Sequence, residues 1–159
     1  MKLFGEKKSA EKTKSCLYGC CKGTVCLLEE TSDEIMSSGI LGEGFAVYPT
    51  YDEAQEAAVV SPTSARVIDV TAKPNAVVLK NEDGLKILIS FSDFSAEQIS
   101  ITASAGESVA AGDELAKLKV AAEDKKEVYV VVENSDKLID FKVKKGSCTP
   151  EKAVMEYSV

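Results

Sequence analysis

The strongest constraint on this chain is a series of short β-type runs that never lengthen into a helical stripe. Thr24–Leu28, Phe45–Tyr48, Ala65–Val70, Ala76–Leu79, Leu85–Phe91, Ile99–Thr102, Val128–Val132 and Phe141–Val143 are rich in valine, isoleucine and aromatics. Gly, Pro, Asn, Asp and Ser separate them. Runs this short and this evenly spaced predict an all-β domain, a flattened antiparallel β-sandwich or barrel. Little helix is expected. Asp52–Ala58 has helix propensity but no full apolar stripe and ends near Pro62, so a short helix or a turn between two strands is expected there. Glu34–Ser38 and Ala96–Gln98 are candidates for single helical turns.

Two stretches share a layout. Residues 23–48 and 65–90 each open on a strand, and a glycine (Gly42 or Gly84) follows 19 positions after the first residue. Ala46-Val47 then matches Leu88-Ile89, which fits a domain built from a duplicated strand unit. The 159 residues suit one domain with a tail. A chain of this length buries roughly 70% of its unfolded surface and needs no disulfide for stability. Residues 1–15 hold five lysines against two glutamates, so a flexible, basic, Cys-containing tail is expected over 1–21 and the β domain over 22–159. Leu3 and Phe4 lie beside lysines, as in segments that touch anionic lipid, but so small an apolar face does not hold a surface helix firmly.

Composition closes several classes of function. The chain contains no histidine, so no Ser-His-Asp triad, Cys-His dyad, His-based metal site or phosphohistidine can be built. A net charge of −7 argues against a general nucleic-acid binder. The start has no apolar signal-peptide core, and no apolar run approaches the ~20 residues that span a bilayer, so no transmembrane segment is expected. The five cysteines, Cys16, Cys20, Cys21, Cys26 and Cys148, read as free thiols of a cytoplasmic protein. Four of them crowd into eleven residues, but Cys-x3-Cys-Cys-x4-Cys is not a zinc-knuckle spacing, and Cys26 falls in an expected strand. Neither a metal nor a cofactor is expected.

Five segments, taken in order, resemble the glucose-family enzyme IIA domains of the bacterial phosphoenolpyruvate-dependent sugar phosphotransferase system. GEGFAVYPT at 42–50 is similar to that family's Gly-Asp-Gly turn and strand. SPTSARV at 61–67 resembles its Ala-Pro-Val-Asp-Gly-x-Ile stretch, and GLKILISF at 84–91 its Gly-Val-Glu-Ile-Leu-Ile-His strand. AGESVAAGDEL at 105–115 and VVVENSDKL at 130–138 look like two later motifs. The resemblance covers roughly 22–159. It implies a flattened antiparallel β-sandwich (the duplicated hybrid motif), with two histidines facing each other across a shallow apolar depression. In that family one histidine accepts phosphate from the phosphocarrier protein and passes it to a cysteine of the IIB domain. Counted from Gly84, the accepting position falls on Ser90 and the supporting position on Asn75, so both imidazoles are replaced.

The replacement matters chemically. Neutral imidazole is a good nucleophile near pH 7, with a reference pKa of about 6.5. A serine hydroxyl is weak unless a base activates it, and a phosphoserine ester is a poor donor to a second protein. Asn75 has no proton to exchange near neutrality. The resemblance also assigns Ile35, Met36, Ile40 and Leu41 to the apolar rim that docks partners, with Ile35 and Met36 expected to be partly exposed. Three readings stay open: a non-phosphorylated binding or regulatory domain, a pseudoenzyme whose protein partner is a phosphotransferase component or regulator; a structural or decoy partner within a sugar permease system; and a thiol- or metal-dependent activity at the N-terminal cysteines.

Overall fold

Val128–Val132 reads VYVVV, and all five side chains are buried, so this strand must be covered on both faces. In the computed structural model, which describes residues 15–73, 75–120 and 125–159, it is a central strand of an eight-stranded sheet. The strands are β1 (Ser15–Tyr18), β2 (Gly23–Leu27), β3 (Glu43–Pro49), β4 (Glu56–Val60), β5 (Ala65–Thr71), β6 (Ala76–Asn81) and β7 (Lys86–Ser90). They continue as β8 (Ile99–Ile101), β9 (Ser108–Val109), β10 (Glu114–Lys119), β11 (Val128–Val132), β12 (Asp140–Val143), β13 (Gly146–Cys148) and β14 (Ala153–Ser158). Helix α1 covers Glu34–Ser38, and single 3-10 turns cover Leu28–Glu30 and Ser135–Lys137.

The large sheet runs β9-β5-β6-β7-β11-β3-β2-β13, and two three-stranded sheets run β4-β10-β8 and β12-β14-β1. Every pairing is antiparallel. The expected all-β sandwich is therefore the fold. The two similar stretches end as β3 and β7, which flank β11, with Phe45 and Ile89 both opposite Val130. Val128, Val130 and Val132 join Phe45, Val77, Leu79, Ile87 and Ile89 in the main core. Tyr129 and Val131 point the other way, into a small second cluster with Leu28, Met36 and Ala46. At Gly44, the ladder partner of Val131, an added Cβ would fall on the Val130 carbonyl oxygen. A side chain there would force β3 away from β11.

All eight expected strand segments contain strands, and Glu34–Ser38 is helical. Asp52–Ala58 divides into a turn at 53–55, with Gln55 at φ 63°, and the start of β4. Ala96–Gln98 is a turn closed by the Gln98 N–H on the Ser95 carbonyl (3.0 Å). The boundary expected at 21/22 needs correction. Residues 15–21 are part of the domain, since β1 pairs with β14 and Leu17, Cys20 and Cys21 are buried in the main core. Residues 1–14, including Leu3 and Phe4, lie outside the described residues.

Candidate functional site

Asp33 starts α1, its Oδ1 accepting from the N–H groups of Ile35 (2.9 Å) and Met36 (3.0 Å). Gly39 ends it in the left-handed region at φ 79°. This five-residue helix sits over the face of the large sheet that points away from the main core. Beside it lies an open depression of about 680 Å³. The sheet supplies Ile68, Asp69 and Thr71 from β5, Ala76 and Val78 from β6, and Lys86, Leu88 and Ser90 from β7. Alternation places these β6 and β7 side chains together, since Ala76 pairs with Ser90 and Val78 with Leu88. The α1 side supplies Asp33, Ile35, Met36 and Leu41, and Glu133 stands beyond β11.

The four expected rim residues separate. Ile35 (58% exposed) and Leu41 (36%) line the depression with open faces. Met36 was expected to be partly exposed but is only 5% exposed, because it packs down onto Tyr129 and Val131 as part of the floor. Ile40 is 78% exposed and is not among the lining residues. Ser90 lines the depression while nearly buried, and its Oγ accepts from the Ser92 N–H (3.3 Å). Asn75 lies in the turn just before β6, where its carbonyl accepts from the Phe91 N–H (3.0 Å). The ladder partner of Ser90 is the next residue, Ala76. Sequence reasoning missed the contributions of Ile68, Leu88 and Glu133. The available signal was Leu88, an apolar side chain set between Lys86 and Ser90 on the outer face of β7.

The rim is acidic. Asp33, Asp69 and Glu133 surround the apolar floor, and the one cation among its described lining, Lys86, already faces Glu133 at 3.6 Å. Below the floor, Tyr129 donates toward Asp93 (3.2 Å) and Cys26 Sγ donates to Glu127 Oε2 (3.1 Å). Glu127 is almost fully buried. Burial, reinforced by the Glu127 carboxylate, pushes the Cys26 thiol up to about 12. Burial, then the charges of Asp93 and Glu127, raises the Tyr129 phenol. Both groups therefore serve as neutral hydrogen-bond donors at physiological pH.

Three of the other cysteines are packing residues. Cys20, Cys21 and Cys148 are buried, and Cys148 Sγ approaches the Cys21 carbonyl oxygen at 3.3 Å. Burial lifts the Cys148 thiol to about 11, and a hydrogen bond with Cys20, then burial, raises that of Cys21. Protonated, enclosed thiols are poor nucleophiles and poor ligands. Among the described residues no three Cys, Asp or Glu side chains gather where they could hold a metal ion. No helix among them is long and apolar enough to cross a membrane.

Fold and site together define a class: a small antiparallel β-domain that presents a shallow apolar face with a charged rim, rather than an enclosed active site. The family model for the phosphoenolpyruvate-dependent sugar phosphotransferase system, EIIA 1, matches residues 15–138. The chain belongs to this family, in its glucose branch. A glucose-specific EIIA component of Staphylococcus aureus (strain Mu50) is 30% identical over 123 residues, covering 75% of this chain and 70% of that protein. One from Staphylococcus epidermidis (strain RP62A) is 35% identical over 88 residues, covering 55% and 49%. Among solved structures, the glucose permease IIA of Mycoplasma capricolum superposes with a TM-score of 0.72 at 21% identity, over 91% of this chain and 96% of that one, which establishes the shared fold.

Proposed function

We propose that this chain is an EIIA-family domain that does not carry phosphate and uses the depression to dock a protein partner. The observation that carries this reading is the absence of histidine from all 159 residues of a chain whose depression is otherwise fully formed. We align the two phosphotransfer positions with Asn75 and Ser90. Ser90 is nearly buried, its Oγ is hydrogen-bonded to the Ser92 N–H, and no imidazole exists to activate it. What remains at the site favours binding: Ile35 and Leu41 exposed beside Ile68, inside a net negative rim. That combination suits a partner offering an apolar contact face edged by lysine or arginine. The partner is a phosphotransferase component or a regulator, and we place the complex in the cytoplasm.

Two measurements test this. Incubation with phosphoenolpyruvate and the general phosphotransferase proteins is expected to leave no acid-labile phosphate on the chain. Label that enters the chain and moves to a IIB cysteine would overturn the reading. The second measurement is capture of purified phosphocarrier and IIB proteins by the wild-type chain and by Ile35→Ser with Leu41→Asp. Both substitutions lie on open faces and leave the Met36 floor intact. Loss of capture with unchanged unfolding supports docking here, and undiminished capture refutes it.

A further inference from the structure

We propose that residues 1–14 of this chain fold back into the depression and occupy it until a partner displaces them. The inference rests on reading the depression as a docking surface and names what regulates it. Three observations converge. The first is charge. Lys2, Lys7, Lys8, Lys12 and Lys14 outnumber Glu6 and Glu11, a surplus of three positive charges on a chain whose remainder carries ten negative. The rim they would meet holds Asp33 and Asp69 beside a Glu133 that pairs with Lys86, so it stays net negative. The second is apolar content. Leu3 and Phe4 join Met1 as the bulky apolar side chains of the segment, and Ile35, Leu41 and Ile68 stand open in the depression.

The third is position. Ser15, where the described chain begins, pairs with Tyr157 in the β1–β14 ladder. The Tyr157 hydroxyl donates to Asp83 Oδ2 (2.7 Å) in the turn between β6 and β7. The segment therefore joins the domain at the hairpin end from which β7 sets out with Lys86, a lining residue. From Asp83 to Lys86 is about 10 Å of chain, and the floor from Lys86 to Ser90 adds about 13 Å of strand. Fourteen residues reach up to about 48 Å when extended. The segment can cross the hairpin end and lie along the whole depression with length to spare. Attachment to the domain also gives it an effective concentration that a free peptide lacks.

The test uses the full chain, labelled with nitrogen-15, and compares amide spectra of the wild type, Leu3→Ser with Phe4→Ser, and Lys7→Glu with Lys8→Glu. These substitutions lie ahead of β1. The amide signals of Ile35, Leu41, Ile68 and Asp69 are expected to move the same way in both variants. Raising salt from about 0.05 M to about 0.5 M is expected to move the wild type toward them, because the Debye length shrinks severalfold. Dilution is expected to leave the wild-type signals in place, and signals that drift on dilution would assign the contact to a second copy and overturn the proposal. Unmoved signals, or shifts confined to another face, would also overturn it. So would wild-type binding to phosphatidylglycerol vesicles that both variants lose without any change at the depression. No partner is present in these experiments, so their failure leaves the capture result standing.

Discussion

Tyr129 points its hydroxyl at Asp93, 3.2 Å from each carboxylate oxygen, and so ties the central strand β11 to the loop that follows β7. The phenol is fully buried, and Glu127 Oε1 lies 3.4 Å from the same hydroxyl. Tyr129→Phe keeps the ring in the small cluster with Met36 and removes only the donor. Hydrogen bonds to charged groups contribute about 1.5–3 kcal/mol, so a loss of about 2 kcal/mol is expected. Urea unfolding should show a lower midpoint with an unchanged slope.

Alkaline pH should weaken the fold through Cys26. Its thiol is raised to about 12 in the folded chain, against an ordinary value of 9.0. The unfolded chain therefore releases this proton first. The stabilising contribution is whole below about pH 9 and disappears as pH rises toward 12. Cys26→Ser keeps a donor for Glu127 and does not titrate in this range. The fall in urea midpoint between pH 9 and pH 11 should be shallower in the variant than in the wild type. Equal slopes would place the alkaline sensitivity elsewhere.

Asp33→Ala removes the cap of a helix only five residues long. Loss of an N-cap side chain costs about 1 kcal/mol. Because α1 forms one side of the depression, hydrogen exchange at residues 35–38 should quicken before global stability falls far. Asp33→Asn should restore most of the protection, since the amide oxygen still accepts from Ile35 and Met36.

Gly44→Ala should be among the most damaging single substitutions in the sheet. The new methyl would meet the Val130 carbonyl oxygen, which is backbone and cannot swing aside. A cost of about 3 kcal/mol or more is expected, at the upper end for overpacking. By contrast, an added methyl at Gly39 meets open space, and its penalty would come from the left-handed backbone alone.

The strands legible in the sequence were those made of branched and aromatic residues, such as VYVVV and KILIS. Two of those missed carry helix-favouring residues. Strand β4 reads EAAVV and β10 reads ELAKLK, yet they pair with each other, Ala58 opposite Lys117 and Ala57 opposite Leu118. Their ladder and the burial of Leu115 and Leu118 override local propensity. The tail was read too long because the runs of branched residues begin only at Thr24, while in the fold Leu17, Cys20 and Cys21 belong to the main core. At the site, Ile35 and Leu41 were found but the role of Met36 was not. The spacing along a five-residue helix does not reveal which side faces a sheet formed by residues near 90 and 130.

The burial of β11 on both faces has a consequence for synthesis. This strand joins β7 to β3, and it spans residues 128–132 of a chain of 159. A ribosome reading from the start makes β5, β6, β7 and β9 on one side and β2 and β3 on the other before it makes the strand that joins them, and the edge strand β13 follows. Until then, the Ile89 side of β7 and the Phe45 side of β3 have no neighbour. Nascent chains stalled before residue 128 should accordingly be sensitive to protease and bound by chaperones, and protection should appear in a single step once β11 clears the exit tunnel.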